Sequence, residues 1–183
     1  MKKIIAVIGD GKIEKDGLKY QIAFETGKAL VEAGYRVQSG GLGGVMEAAF
    51  AGAHAAKNYR EGDTVALLPS FAGTDANDYA DIVIPTGLDI LRNAMVANAD
   101  AVIAIGGAGT LSEMAMAWSL FRLIIAYDNV GGWSAELAGK RIDTRERYAD
   151  TDDRVFAVST VQECIACLKG KIDLYLRRHH GIK

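Results

Sequence analysis

Short apolar runs alternate along the chain with stretches in which apolar residues recur every three or four positions. The runs fall at 3–8, 35–39, 64–68, 81–84, 101–105, 123–127 and 155–158. Their length and near-continuous apolar character predict strands buried on both faces. Helical spacing occupies 18–33 (Ile22, Phe24, Leu30, Val31), 45–57, 88–98, 110–121 and a last stretch from 159 to about 178. Gly34 closes the first of these helices as a glycine just past the last turn does. Thr86 is placed to cap the helix at 88–98, and Ser159-Thr-Val-Gln162 to cap the last. Strands alternating with helices across short loops predict an α/β fold. It is a single Rossmann-like domain over residues 1–183, with a mostly parallel sheet of about seven strands and helices on both faces.

The chain is organised around Ala101–Ile105 and the turn and helix after it. Gly106-Gly-Ala-Gly109 puts three glycines in four residues, and Thr110-Leu-Ser-Glu113 fits a Ser/Thr-x-x-Glu capping box. A buried strand, a glycine turn and a helix start together predict an anion site, because the first amides of a helix are unpaired and face its positive dipole end. The same unit recurs earlier: a strand ending at Ser39, then Gly40-Gly-Leu-Gly-Gly44, then a helix. Gly9 and Asp10 end the first strand on the same rim. In such folds ligands sit beyond the carboxyl ends of the strands where strand order reverses. A stretch at 128–153 holds Gly131-Gly132-Trp133 and many charges. It reads either as a lid or as a solvated loop.

Other nucleotide motifs are absent. The first turn, Gly9-Asp-Gly11-Lys-Ile-Glu14, lacks the third glycine of a dinucleotide fingerprint, and no acid follows about 20 residues later to hold a ribose. No Gly-Lys pair precedes Ser or Thr, which excludes a P-loop, and there is no G-x-S-x-G elbow. Twenty-one basic against 23 acidic residues, for a net charge of −2, argue against a nucleic-acid partner. No run approaches the ~20 apolar residues of a membrane span. The first strand begins too early for a signal peptide, so a cytoplasmic location is expected. Cys164 and Cys167 form a lone C-x-x-C in a helical pattern and read as core residues. His54 reads as a helix-surface residue, and His179 and His180 as part of a basic tail. No metal is implied.

Ser39-Gly-Gly-Leu-Gly-Gly-Val-Met-Glu-Ala-Ala49 and Gly106-Gly-Ala-Gly-Thr-Leu-Ser-Glu113 together resemble the two signature segments of the LOG (LONELY GUY) superfamily, often labelled "possible lysine decarboxylase". That group also includes the molybdenum cofactor carrier proteins. LOG enzymes release the base from nucleoside 5′-monophosphates, and their signature is P-G-G-x-G-T-x-x-E with an R-K-x-x-M element upstream. The resemblance implies that Gly106, Gly107, Gly109 and Thr110 bind phosphate, with Glu113 as catalytic carboxylate and Arg92 as catalytic arginine; position on the same rim adds Gly9, Asp10, Ser39, Gly40, Gly41, Gly43 and Gly44 to the expected ligand site. Ile105 stands where the family has proline and Asn93 where it has lysine, which is closer to the carrier branch. The expected function is binding of a phosphorylated, nucleotide-like ligand, with hydrolysis of nucleoside monophosphates to base and ribose 5-phosphate. The alternative is a non-catalytic carrier of molybdenum cofactor or a related phosphorylated pterin. The protein is expected to need no resident cofactor, to bind a small phosphorylated ligand such as that cofactor or a nucleotide monophosphate, and to form a homo-oligomer.

Overall fold

In the computed structural model, which describes residues 1–149 and 151–179, the apolar runs become seven strands. They are β1 (Ile4–Gly9), β2 (Arg36–Ser39), β3 (Thr64–Leu68), β4 (Ile82–Pro85), β5 (Ala101–Ile105), β6 (Leu123–Tyr127) and β7 (Phe156–Val158). The helices are α1 (Leu18–Glu32), α2 (Val45–His54), α3 (Asn93–Ala97), α4 (Ala108–Ser119), α5 (Gly132–Leu137) and α6 (Val161–Lys171). The strands form one sheet in the order β4-β3-β2-β1-β5-β6-β7, and every pairing is parallel. The fold is therefore Rossmann-like.

Side-chain alternation along β5 feeds two separate cores. Ala101, Ile103 and Ile105 pack on the face covered by α1, α2 and α6, while Val102 and Ala104 pack on the face covered by α3, α4 and α5. All five are fully buried, which is why the run carries no polar residue. Strand order reverses between β1 and β5. The chain climbs outward from β1 through β2 to β4, then returns to β5 and climbs the other way. The loops leaving β1 and β5 diverge there and leave a crevice. No helix among the described residues is long and apolar enough to cross a membrane.

The largest departures of the structure from the sequence pattern are four. First, α4 starts at Ala108 with Gly107 as its N-cap, so Thr110 lies inside the first turn and the expected Thr110–Glu113 capping box does not form. Asp10, from the end of β1, does the capping instead: its Oδ1 accepts from the Gly107 amide at 2.9 Å. Glu113 is released to point elsewhere. Second, the box at the last helix is Thr160 with Glu163, one residue beyond the expected Ser159–Gln162 pair. That helix also stops at Lys171, because a 3₁₀ turn over Ile172–Leu174 directs Tyr175 inward to Asp153.

Third, the helix expected over 88–98 is a 3₁₀ turn, Asp89–Arg92, followed by the short α3. Asp89 has φ 49° and its amide is tied to the Pro69 carbonyl, so the backbone cannot enter an α-helix there. Thr86 donates its hydroxyl to Leu68 and accepts only from Leu88. Fourth, residues in the 128–153 stretch are built into the fold. Its α5 packs on the second glycine loop, and Arg147 pairs with Asp153 through two nitrogens while stacking 3.6 Å from the Trp118 ring. Both charges are buried, so the pair stands only because each carboxylate oxygen and guanidinium nitrogen is matched.

Cys164 is buried, with burial pushing its thiol up to about 12, and Cys167 is half-buried; both are free. His54 is not a plain surface residue: it stacks 4.2 Å from Tyr59, 3.2 Å from the Asp81 carboxylate. His180 lies outside the described residues.

Candidate functional site

The crevice between β1 and β5 is floored by the two glycine loops. After β2, Ser39 Oγ accepts from the Gly41 amide at 3.1 Å, and Asn77 reaches in from the loop after β3 to donate to the carbonyls of Gly41 and Leu42. The loop is thus braced from both sides. Gly44 caps α2 with φ 67°, and a Cβ there would lie 2.2 Å from the Asp10 carbonyl. Gly43 lies over Gly11, with its Cβ position 3.3 Å from that carbonyl. Gly9 meets the Ile105 carbonyl and Val45 at distances below a normal contact, so it serves the approach of α2 to the sheet.

The second loop is held from two directions. The Gly106 amide donates to Ser134 Oγ at 2.9 Å, and the Ser134 amide returns to the Gly106 carbonyl. Gly107 donates to Asp10, whose other oxygen pairs with Lys19 at 2.6 Å. Cβ atoms on Gly106 or Gly107 would strike that carboxylate. Asp10 therefore does not face the crevice as a free ligand-binding carboxylate. It is a pin: its carboxylate caps α4 while its carbonyl accepts from the Val45 amide at the head of α2. Gly109 differs from every other glycine of the two loops, since a Cβ there meets no atom within 4 Å. The amides of Ala108, Gly109 and Thr110 have no acceptor within the helix. Ala108 and Gly109 are exposed.

Above this floor the 3₁₀ turn delivers Arg92 and α4 delivers Glu113. They line one cavity of about 110 Å³ together with Ile8, Gly9, Gly40, Met46, Asn93 and Gly109. Arg92 is 8 % exposed and lies flat on Gly40, where a Cβ would sit 2.1 Å from Nη1. Among the described residues its Nε and Nη1 have no hydrogen-bond partner, and neither does the buried Thr110 hydroxyl. Burial draws the guanidinium below its ordinary pKa, with Glu113 opposing. Glu113 is 7 % exposed, and burial lifts its carboxyl to about 7 despite the attraction of Arg92. A second cavity of about 330 Å³, lined by Asp10, Lys12, Lys19 and Asn129 among others, lies on the far side of Asp10.

All the residues singled out from sequence thus gather at this crevice, but in different capacities. Gly9, Gly40, Gly109, Arg92 and Glu113 line the cavity, Thr110 is buried in the first turn of α4, and Asp10, Ser39, Gly41, Gly43, Gly44, Gly106 and Gly107 shape or brace its floor. Lys19, Asn77 and Ser134 escaped sequence reading, since nothing local marks a residue that braces a loop distant in the chain. Asn93 also does more than depart from a motif: its amide donates to Ser112 Oγ, which donates to the Gly109 carbonyl at 2.8 Å.

Comparison with known proteins adds to this geometry. The family model described as SLOG cluster4 family matches residues 2–165. The chain is similar to an uncharacterized protein of Archaeoglobus fulgidus, 41 % identical over 115 residues that make up 62 % of this chain and 72 % of that one. Among solved structures it is similar to the molybdenum cofactor binding protein of the phototrophic bacterium Rippkaea orientalis, with a TM-score of 0.75, 31 % identity, and coverage of 94 % of this chain and 98 % of that one. It is likewise similar to the molybdenum cofactor carrier protein of Chlamydomonas reinhardtii, with a TM-score of 0.72, 27 % identity and coverage of 92 % and 98 %.

Proposed function

The chain belongs to the SLOG cluster4 family, and from that premise and the crevice we propose that it binds and carries a phosphorylated pterin of the molybdenum cofactor class. The observation that carries the proposal is Arg92. A buried guanidinium with two unpartnered nitrogens is costly to hold unless an anion completes it. Its fixed charge and planar fork suit a phosphoryl group. Gly109, open at the head of α4, lets such a group approach the helix amides closely, and the dipole there adds to the attraction. The residues suit the phosphoryl end of the cargo, and the likeness to two molybdenum cofactor proteins supports a pterin for the rest. Molybdenum cofactor released anaerobically from a molybdoenzyme is expected to co-elute with the protein, and Arg92→Ala is expected to abolish this. Failure of the wild-type protein to retain the cofactor sinks the reading.

A second reading, hydrolysis of nucleoside 5′-monophosphates, is favoured by Glu113 sharing the cavity with Arg92. A carboxylate there can stabilise the cationic sugar as the bond to the base breaks. Release of adenine from AMP, lost in Glu113→Gln, supports this reading; a wild-type protein that leaves AMP intact ends it. A homo-oligomer belongs to either reading, supported by exposed Ile90, Leu91 and Met95 beside the site and checked by light scattering.

A further inference from the structure

Among the described residues, Glu113 and Arg92 are the only ionisable side chains lining the 110 Å³ cavity, yet they make no ion pair within 4.0 Å. The other charges around this cavity are occupied elsewhere: on α2, Glu47 beside Met46 pairs with Lys15. β1, β5, β6 and α3 carry no ionisable side chain beyond Tyr127, which is bonded to Thr26. On α5, Glu136 is exposed beside Lys140. On the 3₁₀ turn Asp89 is exposed, and on the β1 loop Asp10 is tied to Lys19 and Gly107. Glu113 is therefore the one acid whose charge any anion seated on Arg92 must meet directly.

We infer that anion uptake at this site is proton-linked: a tetrahedral dianion held by Arg92 and the first amides of α4 is bound together with one proton from solvent, which resides on the Glu113 carboxyl. This deepens, and rests on, the phosphoryl-binding reading. In the free protein Arg92 supplies the one attraction that favours ionised Glu113, while burial opposes ionisation. A dianion on Arg92 cancels that attraction and adds repulsion in a site screened little by water. The carboxylate then takes up a proton, and the neutral acid gains an O–H to donate to an anion oxygen. Since Glu113 titrates at about 7 in the free protein, the linkage operates across the neutral range. Lowering the pH loads the site and raising it unloads the site.

The test uses sulfate, which stays a dianion throughout, so that any titration belongs to the protein. Calorimetric titrations of the full chain from about pH 6 to about pH 8.5 are expected to show affinity falling by up to about tenfold per unit above pH 7. Heats measured at pH 8 in two buffers of different ionisation enthalpy should report close to one proton taken up. Glu113→Gln should bind with no pH dependence and, at pH 8, more tightly than wild type. A flat wild-type profile with no proton uptake, or a slope that survives in Glu113→Gln, overturns the linkage while leaving phosphoryl binding intact. Absence of binding of both sulfate and inorganic phosphate at every pH overturns the phosphoryl reading and the linkage with it. The wild-type buffer comparison stands alone should the variant fail to fold.

Discussion

The two glycine loops look alike in sequence and differ in what their glycines are for. In the loop at 40–44, glycine is required by the protein itself: Gly40 lies under the Arg92 guanidinium, and Gly44 combines φ 67° with a carbonyl 2.2 Å from its Cβ position. At 106–109, Gly106 and Gly107 answer to the Asp10 carboxylate, but a Cβ on Gly109 would meet no atom within 4 Å among the described residues beyond its own helix. The first loop is scaffold and the second is scaffold at its start and a free rim at its end. Asp10 joins them, with one polar group on each helix head. A glycine run is therefore not a site; what marks a site is the position left without an internal reason.

Substitutions separate the two loops, and the largest effect belongs to the first. Gly44→Ala forces a side chain into a left-handed conformation and a backbone carbonyl, and should cost on the order of 3–4 kcal/mol in urea unfolding. A loss under about 1 kcal/mol would make the first loop as free as Gly109. Arg92→Ala should reduce affinity for sulfate or molybdenum cofactor about 100-fold, the scale of a buried charged contact, with stability held or raised because an unsatisfied buried cation is removed. Unchanged affinity by calorimetry places the anion elsewhere.

Glu113→Gln should raise stability at pH 8 by about 3 kcal/mol. The sign comes from burial: the folded carboxyl titrates at about 7 against 4.5 for the unfolded group. The unfolded chain therefore sheds its proton first as pH rises, and stability is lost between those values and is level above them. The gain should vanish near pH 4.5, and thermal melts at pH 5 and 8 check it. The smallest effect is the sharpest for the comparison. Gly109→Ala should leave stability within about 1 kcal/mol, or improve it through helix propensity, yet weaken sulfate binding about tenfold. A variant that loses stability and keeps its affinity reverses the assignment of the two loops.

Much of the fold is legible in the chain. The strand limits 64–68, 101–105 and 123–127 match the structure residue for residue, because a strand buried on both faces is nearly all apolar, with Thr64 and Tyr127 hydrogen-bonded inside, and its ends are marked by a glycine, a proline or a charge. Helix starts are less legible. Thr110-x-x-Glu113 has the letters of a capping box, but Asp10 takes the head of α4 from 97 residues away. Asp89 and its bond to Pro69 break a helix that spacing alone continues. At the site, the residues are legible and their parts are not: position on the rim points Asp10 at a ligand, whereas in the fold it pins two helices.

The sequence by itself determined the alternation of strands and helices, the two glycine turns and the family, since each rests on short-range pattern or on letters in order. Tertiary structure alone decided that Arg92 and Glu113 share one small cavity, that the guanidinium there lacks a partner, and that burial brings the carboxyl to neutral titration. The reason is physical. Desolvation and charge proximity depend on what surrounds a group in space, and residues 92 and 113 meet only once the order of the sheet reverses between β1 and β5.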